Sequence, residues 1–299
     1  MKIGLVLAGG GARGAYQIGV WKALIELGID KHIKVVSGTS IGALNAMLFQ
    51  QGNYELAEEF WLKVKKEQIL PIEEKELGLK GLLFALGAKN MNFIKKYIPG
   101  AVKAGTLTRE GLNVFLEQID FESIKNSNVK GYATCTRIPE LKTEYFCINN
   151  YCEEDIRKIL WATTAVPMVY DSQEINNISY LDGAMVDNVP VQPVYGESCD
   201  TIIVVHLSTE VKIDRALFPN THIIEIVPEE LDNHDLKQML DFDINIIRKR
   251  MYSGYSDTIY KLKPIMEITR TIDKEKEILV ERKYSFIEKF NSIFERKEK

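Results

Sequence analysis

Three short groups of residues have the types and spacing that acyl chemistry needs: Gly9-Gly10-Gly11-Ala12-Arg13-Gly14, Gly38-Thr39-Ser40-Ile41-Gly42 and Asp182-Gly183-Ala184. In a G-x-S-x-G turn the chain reverses sharply from strand into helix, so Gly38 and Gly42 leave the space that pushes a nucleophilic Ser40 outward. A glycine loop that opens a helix presents backbone N–H groups where the helix dipole favours negative charge. Gly9, Gly10, Gly11, Ala12, Arg13 and Gly14 therefore suit an oxyanion hole, with Arg13 anchoring the loop or adding charge. Asp182, delivered by a strand to the Gly183-Ala184 turn at a sheet edge, supplies a carboxylate that could take the serine proton.

Other chemistries fit less well. Gly9-x-Gly11-x-x-Gly14 also satisfies the dinucleotide fingerprint, but that site needs an acidic residue about 20 residues on, where the next strand instead ends in Ser37-Gly38-Thr39-Ser40. A P-loop would need Lys-Ser or Lys-Thr to close the loop, and neither is present. The order Ser40, Asp182, His206 is that of an α/β-hydrolase triad, which makes His206 the rival base. His32, His222 and His234 have less context. The alternative from another class is a non-catalytic lipid- or nucleotide-binding module that keeps the glycine loop. With no H-E-x-x-H and scattered histidines, neither a metal nor a cofactor is expected.

The elements that must position these groups can be read from periodicity. Residues 2–8 and 33–37 are short apolar runs typical of strands buried on both faces, and each feeds directly into a motif. Helical spacing follows both, from Ala15 to a stop at Gly28 and again from Ile41. Residues 54–66 and 153–162 read as helices, and 129–136 and 142–148 as two strands joined by a turn at Pro139. Residues 178–182, 201–205 and 222–227 complete an alternation of strand and helix. A long amphipathic helix is expected from Ile244 to Leu262, and a second amphipathic stretch over 278–294. Residues 71–105 loosen into glycine-interrupted apolar runs that read either as a helical cap insertion, able with Lys89, Lys95 and Lys96 nearby to admit acyl chains or touch a lipid surface, or as a pair of ordinary short core helices. The fold class is α/β, a mainly parallel central sheet flanked by helices.

Composition bounds the setting. The chain has 299 residues, 45% hydrophobic and 27% charged, with a net charge of -4 and no basic tract, which excludes a disordered or nucleic-acid-binding protein. Cys135, Cys147, Cys152 and Cys199 show no C-x-x-C spacing and read as reduced, mostly buried thiols. No run approaches about 18 apolar residues, and the apolar start, at the lower limit for a secretory segment, runs into glycines, Arg13 and a motif that cleavage would remove, so a cytoplasmic location is expected. The oligomeric state is left open.

Together the three motifs resemble the patatin-like phospholipase family in identity, order and approximate spacing. The resemblance spans about residues 2–207 and includes Ala165-Val166-Pro167; residues 71–105 and those beyond about 265 match no pattern of that family. It implies a patatin-like, three-layer catalytic domain over residues 1–265, with a helical extension over 266–299. It further implies hydrolysis of lipid acyl esters by a Ser-Asp dyad without histidine: Ser40 as nucleophile, Asp182 as base and residues 9–14 as oxyanion loop. The expected partner is a lipid or acyl-ester substrate, with peripheral membrane contact.

Overall fold

The β-branched runs become the middle of one eight-stranded sheet in a computed structural model that describes residues 2–65, 110–167, 169–209, 211–229 and 236–295. Strand β1 (Ile3–Leu7) is buried at every position, as a strand covered on both faces must be. It pairs in parallel with β2 (Ile33–Thr39) on one side and β7 (Thr201–Val205) on the other. β2 pairs in parallel with β3 (Lys130–Ile138), and β7 with β8 (His222–Ile226). The remaining strands are antiparallel: β4 (Lys142–Cys147) and β6 (Ile178–Asp182) on β3, and β5 (Gln173–Ile175) on β6.

β1 ends in the glycine loop, whose Gly11–Gly14 turn leads into α1 (Ala15–Glu26). β2 runs on past the expected Ser37 to Thr39, one residue short of the serine, and α2 (Ile41–Gln51) follows at once. α2 is buried from Ile41 through Gln50, which explains why it is apolar nearly all round rather than striped. α3 (Tyr54–Lys63) starts on an Asn53 cap that accepts the Leu56 N–H and stops short of the expected residue 66. α4 (Glu110–Leu116), α5 (Phe121–Lys125), α6 (Glu153–Thr163) and α7 (Val191–Gly196) follow among the described residues of this part of the chain.

Three expectations need comment. The cap over residues 71–105 lies outside the described residues. The two C-terminal amphipathic stretches are one helix, α8 (Ile244–Glu295), with Pro264 inside it. Proline removes one helical hydrogen bond, but the Glu- and Lys-rich segment that follows has high intrinsic helix propensity, so the helix continues. Of the thiols, only Cys135 and Cys199 are buried, and Cys152 is exposed. By contacts the chain divides into two units, Met1–Asp257 and Thr258–Lys299; everything below concerns the first.

Candidate active site

The register of β3 brings two distant strand ends together. Its Thr134 pairs with Thr39, the last residue of β2, and its next residue, Cys135, pairs with Asp182, the last residue of β6. β2 and β6 thus share one edge of β3, running toward each other, while β4 covers the other edge. Asp182 is therefore inside the sheet, not at its edge as the Asp-Gly turn alone suggests. Where the two ends meet, the Ser40 side chain comes close enough to the Asp182 carboxyl to favour its charged form.

Ser40 sits at φ 54°, ψ -126°, a conformation that costs a non-glycine residue about 1–3 kcal/mol and persists only when the surroundings impose it. Three constraints do so. A Cβ on Gly38 would lie 2.2 Å from Gly42 O, and one on Gly42 would lie 2.1 Å from Leu7 O, so only glycine lets the turn close against β1. The Ser40 N–H donates to Thr163 Oγ1 at 3.0 Å, and Thr163 Oγ1 in turn donates to Thr134 O at 2.6 Å, tying the turn to α6 and β3. Thr39 Oγ1 donates to Asp187 O at 2.9 Å and Ser37 Oγ to Pro190 O at 2.6 Å, which fastens β2 to the segment after Asp182.

Asp182 is only 2% exposed. Its Oδ1 accepts the Ala184 N–H at 2.8 Å, a bond that the tight Gly183-Ala184 turn makes possible, and its backbone is held by Ala165 O and Thr136 Oγ1. Burial pushes the carboxyl up from its usual 3.8 to about 7, against the opposing effects of the Ala184 hydrogen bond and of Ser40.

The glycine loop divides its labour. Gly9 N–H donates to Asn188 O at 3.2 Å, and Asn188 Nδ2 donates back to Gly9 O at 3.2 Å, so Gly9 is committed to holding the loop. Arg13 N–H closes the turn onto Gly10 O at 3.2 Å, and the buried Arg13 guanidinium reaches Leu207 O at 3.3 Å. Behind the loop runs a buried amide network. Gln17 Nε2 donates to Ala8 O (2.7 Å), Asn45 Nδ2 donates to Gly14 O (3.0 Å) and Gln17 Oε1 (2.8 Å), and Trp61 Nε1 donates to Asn45 Oδ1 (2.9 Å). Asn45 thereby joins the helix after the serine to both ends of the loop. Replacing it with alanine removes the partners of Gln17 Oε1 and Trp61 Nε1 and is expected to lower unfolding stability by about 2–4 kcal/mol, read by urea denaturation.

Thr163, Asn188 and Asn45 carry no motif of their own. Thr163 looks like the end of a helix before Pro167, and the amides look like ordinary core or turn polar residues, so only their proximity reveals what they hold. His206 is placed differently from a triad base: it is 1% exposed, and its Nε2 lies 3.0 Å from Glu225 Oε2 on β8. Among the described residues no cluster of His, Cys, Asp and Glu suits a metal ion, and no helix is long and apolar enough to cross a membrane.

Comparison with known proteins agrees with this architecture. A family model described as patatin-like phospholipase matches residues 5–195. Among curated proteins, the chain is 26% identical over 207 residues to a lysophospholipase nte1 of Aspergillus terreus, covering 69% of this chain and 12% of that protein. It is 28% identical over 207 residues to a lysophospholipase NTE1 of Eremothecium gossypii, with the same coverage. The chain thus spans about a tenth of the length of these relatives. Among solved structures, VipD from Legionella pneumophila superposes with a TM-score of 0.52 at 14% identity, over 88% of this chain and 67% of that one.

Proposed function

Since the chain belongs to the patatin-like phospholipase family, we propose that it hydrolyses lipid acyl esters through Ser40 and Asp182, with the glycine loop as oxyanion hole. The observation that carries this reading is the juxtaposition of a strained, half-buried serine and a buried carboxylate poised near neutrality. A base works best when its pKa lies near the working pH, so a carboxyl at about 7 is far better suited to take a serine proton than one at 3.8.

In this mechanism Ser40 Oγ attacks the acyl carbonyl carbon as its proton passes to Asp182. The N–H groups of Gly10, Gly11 and Ala12 stabilise the oxyanion, each worth about 3–4 kcal/mol if it behaves as an oxyanion-hole donor does elsewhere. Collapse of the intermediate expels the alcohol, which takes the proton from Asp182 and leaves an acyl group on Ser40. Water then attacks the acyl-enzyme with Asp182 again as base, and the carboxylic acid leaves. Gly9, Arg13 and Gly14 hold the loop, while Gly38, Gly42, Gly183 and Ala184 fix the two turns. Lysophospholipids are the first substrates to try, given the names of the curated relatives.

Labelling with a fluorophosphonate ester probe tests the reading. Wild-type protein is expected to label at Ser40 and the Ser40→Ala variant not at all; failure of the wild type to label under any condition would favour the binding module instead. His206→Ala separates dyad from triad. Because His206 faces Glu225, the variant is expected to retain labelling and turnover within about ten-fold, whereas a loss of about 10³-fold or more with the fold intact would make the histidine the base.

A further inference from the structure

The segment that follows Asp182 leaves Ala184 and Val186 exposed, so hydrogen bonds carry much of the work of fixing its path. Asp187 makes four of them. Its N–H donates to Gly183 O at 2.9 Å, its Oδ1 accepts the Val189 N–H at 3.1 Å, and its backbone O accepts Thr39 Oγ1 at 2.9 Å. The remaining oxygen, Oδ2, accepts the Tyr145 hydroxyl at 2.6 Å. One residue thus reaches the turn beside Asp182, the strand that ends before Ser40, and β4.

Sheet register explains why Tyr145 is the residue that reaches Asp187. Thr39 of β2 pairs with Thr134 of β3, and Thr134 pairs in turn with Tyr145 of β4. Paired residues project to the same face of a sheet, so Thr39 and Tyr145 stand on one face with a single strand between them. Asp187 spans that row, taking Thr39 Oγ1 on its carbonyl and the Tyr145 hydroxyl on its carboxylate. Burial, and then the bond to Asp187, push the Tyr145 hydroxyl above its usual range, so it keeps the proton that it donates. The next residue, Asn188, clasps the glycine loop through both of its bonds with Gly9.

We infer that Asp187, anchored by Tyr145, is a positioning residue for the hydrolysis: it sets Ser40, Asp182 and the glycine loop at their working separation. The inference rests on the roles proposed for those three groups. Neither side chain is asked to touch substrate. Thr39 precedes Ser40, Gly183 follows Asp182 and Asn188 holds Gly9, so a displaced Asp187 shifts nucleophile, base and loop relative to one another. A misplacement of about 1 Å can cost a reaction about 10²-fold in rate. Binding of the ester before reaction does not depend on that alignment, so the loss falls on kcat and not on KM.

The full chain is compared as wild type, Tyr145→Phe, Asp187→Ala and the double variant, with circular dichroism verifying the fold of each at the assay temperature. Tyr145→Phe removes only the hydroxyl that Asp187 accepts. It is expected to lower kcat for a short-chain ester at least about ten-fold with KM within about two-fold, and to slow saturating fluorophosphonate labelling of Ser40 in proportion. Because Tyr145 acts through Asp187, the double variant should match Asp187→Ala within about two-fold. Should Asp187→Ala fail to fold, Tyr145→Phe decides alone. A lowered Tm with kcat and labelling unchanged would mark a merely structural tie and overturn the proposal, as would losses that multiply in the double variant. A wild type that neither labels nor turns over removes the hydrolytic reading and this proposal with it. A wild type that does both, with Tyr145→Phe equal to it, removes this proposal alone.

Discussion

Replacing Ser40 with alanine is expected to lower kcat for hydrolysis of a short-chain ester and of a lysophospholipid by at least about 10⁴-fold, with KM nearly unchanged. In the proposed mechanism the hydroxyl supplies the atom that becomes acylated, whereas the N–H groups of the glycine loop stay in place and leave a small residual rate. Alanine keeps the Ser40 backbone bond to Thr163 and occupies the same φ of 54°, so the fold is expected to survive. A variant that keeps activity within ten-fold of the wild type would remove Ser40 from the reaction.

Asp182→Asn should separate activity from stability. An amide can still accept the Ala184 N–H and lie against Ser40, but it cannot take a proton, so turnover is expected to fall by about 10³-fold or more. In the wild type, kcat/KM should rise about ten-fold per pH unit up to about pH 7 and level off above it, as Asp182 becomes the free base.

Stability should run the other way. Below about pH 3.8 the carboxyl is protonated in both folded and unfolded chains and costs nothing. Between 3.8 and about 7 the unfolded chain releases the proton while the folded chain keeps it, so stability falls as pH rises. Above about pH 7 the loss is constant, and the shift itself sets a ceiling of roughly 4 kcal/mol on it. The Asn variant lacks this slope. Its unfolding midpoint should therefore exceed that of the wild type by a margin that widens from pH 4 to pH 7 and then stops. Parallel stability curves for the two proteins would mean that Asp182 is not held protonated by the fold.

Much of the arrangement was legible in local sequence because it rests on local constraints. The buried run of β1 and the glycine turn after it, like β2 and the serine turn, follow from side-chain size and backbone freedom within a few residues. The C-terminal helix is continuous where periodicity suggests two stretches, because the pattern fades after Leu262 but helix propensity carries α8 through Pro264. Thr163, Asn188 and Asn45 were not legible, since a hydroxyl or amide declares a positioning role only through its partner, and these partners lie 123, 179 and 31 residues away.

The sequence by itself determined which residues could do the chemistry: a serine in a turn that only glycines permit, a loop rich in N–H groups, and an aspartate at a strand end. Tertiary structure alone decided how those residues stand to one another. The register of β3 sets the ends of β2 and β6 face to face, the pairing of β7 with β8 sets His206 beside Glu225, and the surrounding packing buries Asp182 deeply enough to lift its carboxyl to about 7. Spacing along a chain cannot encode that last quantity, because desolvation depends on everything packed around the group and not on its neighbours in sequence.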